Sequence, residues 1–92
     1  MLVFSSSGRG RKLTTSFAVR TGDDKQEYVL KAVIYFGASH FTLRVVKDLS
    51  HAWYYDGMKR DGEFVYEGLI DGINLRSARG RDAVAVIYAA AE

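Results

Sequence analysis

The sequence predicts a mainly β fold (β-rich α+β): one curved antiparallel sheet of five or six strands with at most one short helix. Hydrophobic residues make up 48% of the 92 residues, which is enough to form the core of one small domain. In several segments apolar residues recur at every second position, which is the period of a half-buried strand. No segment of helical length keeps an apolar period of 3.6 residues. We therefore expect no helical layer.

The first residues of the chain are predicted to lie outside this fold. Residues 5–12 read Ser-Ser-Ser-Gly-Arg-Gly-Arg-Lys and contain too little apolar surface to become ordered. We therefore expect a flexible basic segment over residues 1–12 and a single antiparallel β domain over residues 13–92. The basic segment carries three positive charges and no acid. Because the whole chain has a net charge of +2, the remaining residues have a net charge of 2 − 3 = −1.

The strands are predicted in chain order from alternation and from the turn residues between them. They cover residues 13–20, 28–36, 40–46, 52–56, 63–69 and 83–89. The segment over residues 28–36 is nearly all β-branched or aromatic on both faces, which is typical of a central strand. Glycine-containing breaks near residues 22, 37, 57, 62 and 72 separate the strands. A short helix or turn is expected between residues 69 and 77.

The hairpin of residues 40–46 and 52–56 carries the clearest chemical signal. If its turn centres near Asp48, His40 lies opposite Asp56. Their face also carries Thr42, Arg44, Ala52 and Tyr54. The other face, predicted to be core, carries Phe41, Leu43, Val45, Trp53 and Tyr55. An imidazole beside a carboxylate is how a general base is held in one tautomer, so His40 and Asp56 are a candidate base and its orienting partner. The nucleophile is absent, because the chain has no cysteine.

Several segments together carry a family resemblance. They are Tyr28-Val29-Leu30-Lys31-Ala32-Val33-Ile34, the link through Gly37, His40-Phe41-Thr42, Trp53-Tyr54-Tyr55-Asp56 and a closing Ala-Val-Ala-Val-Ile-Tyr run. Over residues 13–91 the chain resembles the C-terminal, His-box lobe of a ubiquitin-specific protease domain, which has a papain-like cysteine peptidase fold. The resemblance implies that His40 is a general base and that Asp56 orients it. The chain departs from the family at Ser39 and Gly57, in a shorter link before Asp56, and in lacking the Cys box.

The resemblance without the cysteine implies a non-catalytic protein-binding or scaffold domain. In the parent fold the sheet packs against the helical Cys lobe. Here, another copy of the chain (a homo-oligomer) or a partner protein is expected to cover the apolar sheet face. A first alternative is one half of a split cysteine peptidase, in which a partner supplies the Cys. A second alternative is a small nucleic-acid-binding β protein, with basic residues at 8–12 and 76–81 and with Tyr54 or Tyr66 stacking on bases. The slightly acidic body of the chain disfavours that second alternative.

Other kinds of site receive little support from the sequence. The alternative to a catalytic role is that His40 and Asp56 only stabilise the hairpin, as a cross-strand pair on its surface. No cofactor is expected, and no metal, although His40, His51 and Asp56 could in principle converge on one. No serine lies in a strand–turn–helix elbow, so serine hydrolysis is not expected. No apolar run approaches the roughly 18 residues of a membrane helix, and residues 1–4 are too short for a signal peptide. We expect a cytoplasmic or nuclear protein without membrane contact.

Overall fold

The computed structural model describes the backbone of residues 2–5, and it describes residues 14–57 and 62–91 in full. In this part of the chain, eight strands form one curled antiparallel sheet and no α-helix is present. The strands are β1 (Leu2–Ser5), β2 (Ser16–Thr21), β3 (Asp24–Gly37), β4 (His40–Lys47), β5 (His51–Tyr55), β6 (Phe64–Leu69), β7 (Ser77–Ala78) and β8 (Arg81–Ala90). A 3-10 turn covers Ile70–Gly72, within the range where a short helix or turn was expected. The mainly antiparallel β fold predicted from the sequence is confirmed.

The sheet is built around the long strand β3. Six strands follow one another in the order β1-β8-β3-β4-β5-β6, while β2 pairs with β3 and β7 pairs with β8. Strand β3 extends four residues further toward its N-terminus than predicted, because the polar segment before Tyr28 shows no apolar alternation and yet pairs with β2. Ala38 and Ser39 form the turn between β3 and β4, with φ of 51° and 66°. Two positive φ values suit the right-handed twist of a tight hairpin.

Strand β1 was not predicted. Residues 1–12 were expected to form a flexible segment, but Leu2–Ser5 pairs with β8, with Leu2 opposite Tyr88 and Ser5 opposite Ala85. Leu-Val-Phe is a short apolar run with high β-propensity, and it pairs with residues more than 80 positions away in the chain, which local composition cannot reveal. The rest of the predicted flexible segment, residue 1 and residues 6–12, lies outside the described residues.

The two faces of the β4–β5 hairpin are reversed relative to the prediction. The buried inner face carries Thr42, Arg44, Val46, Ala52, Tyr54 and Asp56. The outer face carries Phe41, Leu43, Val45, Trp53 and Tyr55, which were predicted to be core; Phe41 is in fact 63% exposed. The reason is that the chain after β6 folds over the inner face, where Ile70, Leu75 and Ala78 join the core cluster. On the outer face, by contrast, Leu43, Val45, Trp53 and Tyr55 stay partly exposed.

Candidate functional site

His40 and Asp56 meet at the open end of the β4–β5 hairpin. The turn centres on Leu49 instead of Asp48, because Leu43 pairs with Tyr55, so Asp56 lies diagonally across from His40 and not directly opposite. The two side chains still share a face, and His40 Nε2 lies 3.3 Å from Asp56 Oδ2. The His40 side chain is 21% exposed and that of Asp56 is 6% exposed. The structure thus brings the two predicted residues together, and their catalytic role stays a prediction.

Arg81 completes this cluster, and sequence reasoning missed it. Arg81 Nη2 lies 3.3 Å from His40 Nδ1, and Arg81 Nε donates a 3.0 Å hydrogen bond to the carbonyl of Gly37. A side chain on residue 37 would meet Arg81, because an added Cβ would lie 2.7 Å from its Cγ. The available signal was the antiparallel pairing of the central and closing strands, which sets the start of β8 beside the end of β3.

The contacts of Arg81 assign the tautomer of His40. A guanidinium group only donates hydrogen bonds, so the Nδ1 that faces Arg81 must accept. The proton therefore lies on Nε2, which donates to Asp56. A general base needs one ring nitrogen facing a nucleophile or a water molecule. In this arrangement Asp56 holds one nitrogen and Arg81 holds the other, so the imidazole acts as a hydrogen-bond bridge between two strand ends.

A second polar cluster lies in the inner face around Arg44. Its side chain is 5% exposed and forms a two-point ion pair with Glu67, with Nε–Oε1 at 2.6 Å and Nη2–Oε2 at 3.4 Å. Arg44 Nη1 also donates to the hydroxyl of Tyr35 at 3.0 Å. Burial alone would lower the pKa of Arg44, but Glu67 and Tyr35 hold it above its ordinary value. Burial raises the pKa of Tyr35 to about 12, against the opposing effect of Arg44.

The cluster around Arg44 is hydrogen-bonded to residues 74–77, which belong to the segment that covers the inner face. Arg44 Nη1 lies 3.2 Å from the carbonyl oxygen of Asn74 and 3.3 Å from that of Ser77. The hydroxyl of Tyr35 donates to the carbonyl of Leu75 at 2.8 Å. Buried polar groups are tolerated when they are hydrogen-bonded, and here the partners are the backbone of the covering segment. The sequence predicts a solvent-exposed face for Arg44, because nothing near Arg44 in the sequence shows that the chain after β6 covers this face.

Two arginines of the basic stretch 76–81 contact other residues of the chain. The guanidinium of Arg79 lies 4.2 Å from the ring centroid of Tyr54, and its Nη2 lies 3.8 Å from Glu67 Oε2. Tyr54 is only 2% exposed, so the expectation that it could stack on bases is wrong. Tyr66 is 51% exposed, as that alternative requires. Arg81 is held against His40. Arg79 and Arg81, two of the three arginines of residues 76–81, thus have intramolecular partners.

His51 lies far from His40 in the hairpin and on the opposite face. Its Nδ1 lies 2.8 Å from the hydroxyl of Tyr66, beside Trp53 on the outer face. His40, His51 and Asp56 therefore do not converge. Among the described residues, no group of three or more histidine or acidic side chains could hold a metal ion. The same residues include no helix with the length and apolar character needed to cross a membrane.

The outer face of β3–β6 presents aromatic rings in contact with one another. Phe36 and Phe41 lie 4.6 Å apart between centroids, Tyr55 and Phe64 4.8 Å, and Trp53 and Tyr66 5.0 Å. Of these rings, Phe36, Phe41, Phe64 and Tyr66 are 42–63% exposed. A cleft in this face is lined by Val45, Lys47, Trp53 and Phe64. We call this surface the aromatic face.

Comparisons of the chain with protein-family models, with curated proteins and with solved structures find no match. The resemblance to the His-box lobe therefore stays a prediction from the sequence.

Proposed function

We propose that the chain is a non-catalytic protein-binding or scaffold domain that resembles the His-box lobe of a ubiquitin-specific protease and binds through its aromatic face. The observation that carries the proposal is the exposure of that face. Four aromatic side chains that are each about half exposed present about 400 Å² of surface. Leu69, 58% exposed, extends it. The largest apolar patch on a typical monomer is about 300–600 Å² and is often functional.

The residue types of the aromatic face favour a protein partner. Phenylalanine, tyrosine and tryptophan are enriched where proteins bind proteins, and lysine is depleted there. A nucleic-acid surface would need several phosphate-binding cations among the rings. Along the β4 and β5 part of this face, Lys47 is the only lysine or arginine, and its Nζ lies 5.1 Å above the Trp53 ring.

The contact between His40 and Arg81 supports the non-catalytic part of the proposal. For a split peptidase, a partner's thiol would have to reach a free ring nitrogen of His40, and Arg81 would have to leave Nδ1 first. The purified chain has no cysteine and should not hydrolyse ubiquitin conjugates. Hydrolysis by the purified chain would refute this part of the proposal.

A photocrosslinking experiment tests the binding role. A photoreactive phenylalanine replaces Phe41 on the aromatic face, and the control carries it at Val19, which is 44% exposed but lies on the side of β2 that Phe17 shares with the core. In cells that express the full chain, we expect protein adducts from position 41 and few from position 19. Equal labelling from both positions, or no protein adduct from position 41, would overturn the proposal.

A further inference from the structure

We infer that the partner of the aromatic face is a second copy of this chain, packed sheet on sheet about a two-fold axis; this inference rests on the proposed function. Its first support is the size of the face. A stable protein interface buries about 800 Å² on each partner. Four half-exposed rings, Leu69 and the partly exposed Trp53 and Tyr55 together supply roughly three-quarters of that area.

The shape of the surface also fits a second copy. The six rings of the aromatic face lie on four adjacent strands of one curled sheet, and twisted sheets pack face to face at about 10 Å with their strands roughly aligned. Such a pairing is isologous, so the same patch serves both copies. Two apolar faces bury one another without desolvating many polar groups, because the β4 and β5 part of the face contains Lys47 and His51 as its only ionisable side chains besides Tyr55.

Two charged residues at opposite ends of the face set the orientation. Asp82 pairs with Phe36 and therefore lies on the same face, at the end where β3 turns into β4. Lys47 lies at the other end of β4, opposite His51. Neither Lys47 nor Asp82 forms an ion pair with a described residue. A two-fold axis across the strands brings the Asp82 end of one copy over the Lys47 end of the other, twice by symmetry.

The first test measures mass in solution. Light scattering on the full chain at micromolar concentration should give about twice the monomer mass of 10.3 kDa. Phe41→Lys, at a 63% exposed position, should raise the dissociation constant by about 30-fold or more while the circular dichroism spectrum stays unchanged. Val19→Lys, at a position away from the aromatic face, should leave the dimer intact. A monomeric wild type, or equal weakening by both variants, would overturn the inference.

The second test uses a charge swap. Lys47→Glu and Asp82→Lys should each raise the dissociation constant of the dimer by about fivefold. Each change replaces an opposite-charge pair by a like-charge pair, and the two-fold symmetry repeats that pair. The double variant should recover the wild-type dissociation constant, because the pairs are restored with their signs exchanged. Failure to recover would overturn the two-fold arrangement. Crosslinking from position 41 separates the two proposals. An adduct with another protein and none with the chain itself would overturn the proposal that the partner is a second copy, but not the proposal of a binding role. The absence of any protein adduct would overturn both.

Discussion

Two buried tyrosines of the inner face provide a matched test of the polar network. The hydroxyl of Tyr35 accepts from Arg44 and donates to the carbonyl of Leu75. The hydroxyl of Tyr54 is equally buried, and no described residue offers it a hydrogen-bond partner. The same change, tyrosine to phenylalanine, therefore removes two hydrogen bonds at one position and an unsatisfied polar group at the other. The two variants should change stability in opposite directions.

The magnitudes follow from the contacts. Tyr35→Phe leaves the Leu75 carbonyl buried without its donor and removes one acceptor from Arg44, which should cost about 2–4 kcal/mol. Tyr54→Phe removes a desolvated hydroxyl and should stabilise the fold by about 1 kcal/mol. A domain of this size has roughly 5–10 kcal/mol of stability, so the first variant loses a large part of it.

Urea denaturation at neutral pH, followed by circular dichroism, measures both variants. We expect midpoints on opposite sides of the wild type, with similar slopes, because the surface exposed on unfolding hardly changes. Wild-type-like stability of Tyr35→Phe would show that the network does not hold the covering segment. A Tyr54→Phe variant as unstable as Tyr35→Phe would show that the Tyr54 hydroxyl has a partner and that our description of the inner face is wrong.

Three further outcomes are expected. Trp53→Ala should lower the free energy of unfolding of the monomer by only about 1–2 kcal/mol in urea melts, because Trp53 lies on the outer face. A loss of roughly 3–5 kcal/mol, as for a buried aromatic residue, would show that Trp53 belongs to the core. Arg44→Met should cost about 3 kcal/mol, because Glu67, whose side chain is 17% exposed, is then left with the longer 3.8 Å contact to the exposed Arg79; adding Glu67→Leu should recover most of that loss, as melts of the single and double variants would reveal. The folded pKa of Tyr35, about 12, lies above its ordinary value of 10.0, so its contribution is complete below pH 10 and is lost as the pH rises toward 12; melts across this range should show a decline that Tyr35→Phe lessens.

The strands could be predicted because their signal is local. Alternation and glycine breaks located β4, β5, β6 and β8 to within a few residues. The turn prediction was off by one position, which shifts the pairing by two residues and therefore preserves which side chains share a face. For that reason His40 and Asp56 were correctly placed together although the register was wrong.

The choice of the buried face could not be made in this way. Hydropathy favoured burying Phe41 and Trp53 over Arg44 and Tyr54, because a charged group inside a small domain is costly without partners. Those partners are Glu67 on the strand two positions away and the backbone after the 3-10 turn, which come together only in the complete fold. Likewise, nothing local marked Arg81 as a neighbour of His40.

The position of β8 inside the sheet affects how the chain folds as it is synthesised. β8 is the last strand of the described chain and forms hydrogen bonds with both β1 and β3. While the ribosome extends the chain from its N-terminus, β1 has no neighbour and one edge of β3 stays open until residues 81–90 emerge. Open edges pair readily with other chains, and such distant pairing is slow. Nascent chains are therefore most exposed to misassociation until β8 has emerged, and a chaperone that shields the β3 edge would act during that interval.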